Sequence, residues 1–283
     1  MSVSDATARM IRQSVRYLQT AYQFAYRGRC EYANLLGEIA TQVLEAIARS
    51  DAAYHNLEHT LQVALVGQEI LQGKHRSEKG ISQLNWLHFM ISLLCHDIGY
   101  IKGICKGDQP EQNRFVTGIA DGYVTLPATA TGASLTPFHV DRGQQFVAEA
   151  FSDHPFIDIQ ALQRSIERTR FPVPADEDHR LTLDYPGLAR AADLLGQLSD
   201  PHYLAKIPAL FDEFEETGGN KALGYEKPGD LRAGYPKFYW LTVSQYVHHG
   251  IRYLEVAPEG KPILENLYHN LSVVEQELML AAA

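Results

Sequence analysis

Cysteine is scarce in this 283-residue chain: Cys30, Cys95 and Cys105 are the full complement, an odd number without paired spacing. That speaks against a disulfide framework and for a reducing compartment. Basic charge is short as well. Twenty-five Lys and Arg stand against 34 Asp and Glu, a formal net charge of −9. A general binder of the nucleic-acid backbone needs a basic face, so that class is not expected. A small anionic ligand is still compatible, because a local basic cluster or a bound metal overrides the global field. Long apolar runs are missing too. The strongest stretch free of Asp, Glu, Lys and Arg, residues 81–95, contains Ser82, Gln83, Asn85, His88 and Ser92, and is too short and too polar to span a bilayer. Residues 1–9 lack the basic start and apolar block of a signal peptide. The expectation is a soluble, cytoplasmic protein with no membrane partner.

Alternating apolar and polar residues are also absent over any length that would make a sheet. Helical periods of three and four dominate instead. Ile11, Val15, Leu18, Tyr22 and Ala25 predict a helix over 7–26, and similar spacing predicts helices over 32–48, 56–71, 138–151, 157–169, 188–198, 207–216, 238–254 and 263–280. The segment 84–98 is apolar nearly all round, which predicts a buried central helix. Pro172 and Pro174 should end the helix before them. The fold class expected is therefore all-α, a compact multi-helix domain spanning 1–283. Residues 121–137, 172–186 and 217–236 read as long loops without linker composition, and the first and last are expected to wall a pocket. There is no internal repeat.

Against this background the polar residues embedded in apolar helices stand out. His55 and His59, in Tyr54-His55-Asn56-Leu57-Glu58-His59, are four apart and share a helix face. Asn56 is a good helix N-cap. His96-Asp97 ends the apolar helix, and Asp193 sits within Ala191-Ala192-Asp193-Leu194-Leu195. Buried charge is costly unless it is paired or bound to metal. Two His and two Asp form a mixed nitrogen–oxygen donor set suited to Zn, Fe, Mn or, less readily, Mg. A bound ion of this kind lowers the pKa of water from about 15.7 to about 7. These donors define a metal-site core over about 54–200.

Taken in order, His59, His96-Asp97 and Asp193 resemble the signature of the HD-domain metal-dependent phosphohydrolases. Tyr54-His55-Asn56-x-x-His59 is similar to the corresponding motif of class I cyclic nucleotide phosphodiesterases. The resemblance implies an HD-type, phosphodiesterase-like helical fold and hydrolysis of a phosphate mono- or diester, with a small phosphorylated, nucleotide-like substrate. It implies His55 as general acid, and His59, His96, Asp97 and Asp193 as ligands to one or two divalent ions, with Asp97 also in a catalytic role. The phosphodiesterases carry a second histidine four residues after the first of His-Asp; here that position is Tyr100. His139, on a helix between the two Asp positions, is a further ligand candidate. Arg142, Arg190 and Lys102 are candidates for gripping a phosphate, since guanidinium matches phosphate bidentately.

Two other readings fit parts of the pattern. A non-catalytic HD sensor or scaffold would keep the metal without turnover. His55-Asn56-Leu57-Glu58-His59 also fits the inverted zincin pattern His-x-x-Glu-His, with Glu58 as base, but that leaves His96, Asp97 and Asp193 without a role.

Overall fold

The computed structural model describes residues 4–27, 31–78 and 80–282, so Cys30 and the first three residues of the chain lie outside the described part. Within it the chain is all-α apart from one small hairpin. Helices α1 (Asp5–Ala25) and α2 (Glu31–Ile47) pair with each other. Next come α3 (Leu57–Ser77), α4 (Gln83–Cys95) and a short 3₁₀ turn, Ile98–Tyr100. Strands β1 (Arg114–Val116) and β2 (Tyr123–Thr125) pair antiparallel, with Phe115 opposite Val124. The rest is α5 (His139–Phe151), α6 (Ile159–Glu167), α7 (Tyr185–Leu198), α8 (Tyr203–Thr217), α9 (Gly219–Leu223), α10 (Pro228–Phe238), α11 (Ser244–Leu254) and α12 (Gly260–Ala281). One hydrophobic cluster runs through the molecule from Ile11 to Val274.

Helix α4 lies at the centre, as its all-round apolarity predicts. Trp86, Leu87, Phe89, Met90, Ile91, Leu93, Leu94 and Cys95 are all buried. Helices α3 and α7 pack closely: a Cβ on Gly196 would meet Val63 Cα at 2.8 Å, so only glycine lets the two backbones approach. This three-helix core carries His59, His96-Asp97 and Asp193. No helix among the described residues is long and apolar enough to cross a membrane.

Two segments differ from expectation. The region 217–236 is not a loop. It contains α9 and most of α10, and α10 runs through a π-helical turn, Tyr239–Val243, into α11. Its glycines and prolines mark helix ends rather than coil: Gly218 and Gly224 take left-handed caps and Pro228 occupies the first turn of α10. Residues 121–137 hold β2 and a 3₁₀ turn, Gly132–Leu135. Strands of three residues are too short to show a period of two.

Candidate metal centre and adjoining cavity

His59 lies in the first turn of α3, whose N-cap is Asn56: the Asn56 Oδ1 accepts from the Glu58 and His59 amides. His96 caps the C-terminus of α4. Its Nδ1 donates to the Leu93 carbonyl at 2.7 Å, which leaves Nε2 as the lone-pair nitrogen. Asp97 sits at the N-cap position of the 3₁₀ turn but makes no side-chain capping bond, so its carboxylate is free to face the cluster.

Four donor atoms converge there. His59 Nε2 lies 3.2 Å from Asp97 Oδ2 and 3.6 Å from Asp193 Oδ1; His96 Nε2 lies 3.1 Å and 3.6 Å from the same two oxygens. Donors bound at about 2.0–2.2 Å to a shared ion lie roughly 3.0–3.6 Å from one another, so the spacing suits a metal. His59, His96 and Asp97 are buried, and Asp193 opens partly onto a cavity. His96 Nε2 and Asp97 Oδ2 are buried without a hydrogen-bond partner, despite their 3.1 Å approach. A lone-pair nitrogen facing a carboxylate oxygen in a buried site calls for positive charge between them. A proton satisfies one pair, whereas a metal ion satisfies several donors at once. In its absence, burial disfavours charge on His96, but Asp97 and Asp193 outweigh that and hold the imidazole well above its usual value. Burial likewise opposes ionisation of Asp97, and His96 and His59 override it.

A second, overlapping group joins His55 to His59 and Asp97. His55 Nδ1 meets Glu213 Oε2 at 2.5 Å, and Glu213 Oε1 accepts from the Tyr54 and His55 amides at 2.6 and 3.0 Å. Burial alone would lower the His55 pKa, yet the Glu213 carboxylate, helped by Asp97 and Asp193, raises it to about 8. Its other ring nitrogen is left for chemistry. Glu213 was not legible in the sequence: it lies on α8, 158 residues from His55, in an unremarkable acidic helix end.

Tyr100 takes a definite place beside this pair. Its ring stacks between His55 (4.6 Å, 15°) and His139 (4.5 Å, 16°). His139 is thus one ring removed from the cluster. Its Nδ1 is bound to the Thr136 carbonyl, and it belongs to neither converging donor group among the described residues. The expectation that His139 ligates metal is not met by this arrangement. Gly99 makes the stack possible: a Cβ there would meet the His139 carbonyl oxygen at 1.9 Å.

Two of the three expected phosphate-gripping cations lie elsewhere. Arg142 is fully buried, paired through both terminal nitrogens with Asp108 and donating to the Gly99, Val116 and Ile101 carbonyls. It ties the turn after His96-Asp97 to the hairpin and has no free face for substrate. Lys102 is bound to Asp51 and to the Ala130 carbonyl and does not line the cavity. Arg190 does line it. Its Nε donates to the Arg168 carbonyl and Nη1 to the His179 carbonyl, while Nη2 is buried without an acceptor. Glu58 faces outward, half-exposed and paired with Lys206 at 3.0 Å, so it is not placed as a peptidase base.

The cavity has a volume of about 360 Å³ and borders His55, Asp97, Asp193, Tyr100 and His139. Thr136 contributes from the 121–137 region, and Leu223, Tyr225, Leu231, Gly234 and Tyr235 from 217–236, the two segments expected to form pocket walls. Thr242 of the π-helical turn is a further wall residue, in keeping with the frequent use of such bulges at functional sites.

Fold and site together define an all-helical protein with two overlapping histidine–aspartate groups, His59–His96–Asp193 and His55–His59–Asp97, able to hold a metal ion. The chain belongs to the Npun_R2479-like family, whose model matches residues 4–277. Comparison with curated proteins gives no match.

Proposed function

We propose that the protein is a metal-dependent phosphohydrolase of the HD type, cleaving a phosphate mono- or diester. The observation that carries this reading is a juxtaposition on one cavity wall. A cluster that demands positive charge, with His96 Nε2 and Asp97 Oδ2 orphaned, adjoins a histidine held by a carboxylate, His55 with Glu213. The HD-like order of His59, His96-Asp97 and Asp193 along the chain supports the same reading.

His59, His96, Asp97 and Asp193 would hold the ion, and their nitrogen–oxygen donor set favours Zn, Fe or Mn over Mg. When bound, such an ion supplies Lewis acidity: it makes water a competent nucleophile near neutral pH and draws charge from a phosphoryl oxygen. The protein's own groups handle the proton. Water supplies the oxygen that joins phosphorus, the ester P–O bond breaks, and its electron pair leaves on the alcohol oxygen. His55 donates the proton that this oxygen takes up, and the proton released by the water restores His55. The products are the alcohol and either inorganic phosphate, from a monoester, or a phosphate monoester, from a diester. Glu213 orients the imidazole and stabilises its cationic, proton-donating form.

Asp97→Ala is expected to abolish both metal retention and ester hydrolysis, measured by elemental analysis and phosphate release. His55→Ala should keep the ion and lower kcat by about 10²-fold or more. Protein that takes up no Zn, Mn or Fe contradicts the proposal. Protein that binds the ion but cleaves no phosphoester is a sensor or scaffold.

A further inference from the structure

We infer that the substrate is a phosphate ester of an apolar, ring-sized alcohol carrying a single phosphoryl group, rather than a nucleotide polyphosphate. The inference rests on the phosphohydrolase reading above and names the substrate class of that same site. Beyond the charged rim at His55, Asp97 and Asp193, the cavity wall is largely apolar: Val173, Leu194, Leu210, Phe214, Leu231 and Phe238 line it. Leu223 and Phe171 also border it and remain 58% and 46% exposed, placing apolar surface at an open edge. Phe171 and Phe238 pack edge to face at 5.6 Å, an arrangement that leaves ring faces for a flat guest. The volume of about 360 Å³ falls in the range of small-molecule sites.

Cation supply sets the charge of the guest. Arg170 and Arg190 are the only Lys or Arg among the cavity-lining residues. Arg170 is already held by Asp141 and Glu167 through four hydrogen bonds at 2.6–3.0 Å. Arg190 alone has a buried donor without an acceptor, its Nη2. That nitrogen is buried and the guanidinium packs over the Tyr246 ring at 4.8 Å, so neither arginine is free to neutralise a chain of phosphates. Beside the carboxylates of Glu213, Asp97 and Asp193, the ion of the proposed reaction would match one phosphoryl group. Removing an apolar ring from water into such walls stabilises binding in proportion to the area buried, and a polar alcohol gains nothing comparable.

The test compares kcat/KM of the metal-loaded protein for 1-naphthyl phosphate, glycerol 3-phosphate and adenosine monophosphate. The naphthyl ester should be preferred by about tenfold or more over each of the others. Equal or reversed preference overturns this inference while leaving the phosphohydrolase reading intact; no turnover of any of the three, nor of bis(4-nitrophenyl) phosphate, overturns both. Leu223→Asp, at an exposed position where folding is not at stake, should raise KM for the naphthyl ester more than for glycerol 3-phosphate. Equal changes for the two esters would count against an apolar subsite.

Discussion

His55 draws its character from Glu213. An imidazole largely removed from water would ordinarily lose its proton more easily, but the carboxylate at 2.5 Å reverses that and lifts the pKa to about 8. Activity that needs the protonated form is present below that pKa and is lost as pH rises through it. Glu213→Gln removes the largest raising influence, so the basic limb of the pH–rate profile should move to lower pH, with kcat down by about tenfold. A limb that stays in place, or moves up, would show that the proton comes from elsewhere. Glu58 is the control at this scale. It faces Lys206 and solvent, so Glu58→Gln should retain the metal and keep kcat within about twofold, whereas a peptidase would lose its base. Neither cysteine among the described residues carries a sign of reactivity: Cys95 is buried in α4 and its thiol is pushed up by burial, and burial likewise raises Cys105, to about 12.

At the scale of elements, the turn that follows His96-Asp97 is held from outside. Arg142 on α5 reaches across to the Gly99, Ile101 and Val116 carbonyls and to Asp108, so it ties α5, the turn and the hairpin together. Arg142→Ala strands the buried Asp108 carboxylate and should cost about 3–5 kcal/mol, read from chemical denaturation. A loss under 1 kcal/mol would mean the guanidinium is not the tie. The helix pattern of this region was legible where packing imposes one-sided or all-round apolarity, as in α3 and α4, and where a cap such as Asn56 announces a start. Arg142 misled because a charged residue on a short helix reads as exposed, and only the fold shows that five backbone and carboxylate oxygens surround it. Helices α9 and α10 were hidden by Gly218, Gly224 and Pro228, which serve as caps here but have the composition of a loop. The His55–Glu213 pair could not be read at all, since nothing local links residues on α3's approach and on α8.

The main apolar cluster spans the molecule, and a group of largely buried histidines and aspartates sits where α3, α4 and α7 meet. Four ligating atoms on three helices make that point a potential cross-link, so metal binding should be coupled to global stability. Adding Mn²⁺ at about 100-fold above Kd should stabilise the protein by about 2.7 kcal/mol, seen as a rise in Tm that is absent in Asp193→Asn. The net charge of −9 would not oppose an anionic substrate under these conditions, because a bound divalent ion would dominate the field inside the cavity. The central claim is that these four residues bind an ion and that the ion serves phosphoester cleavage. Its most direct test is to titrate metal-stripped protein with Mn²⁺ while following both the metal bound and the hydrolysis of an aryl phosphate. The prediction is hydrolysis that rises in step with ion bound at this cluster and is missing from Asp193→Asn; full metal loading with no hydrolysis, or hydrolysis unchanged in the stripped protein, would contradict it.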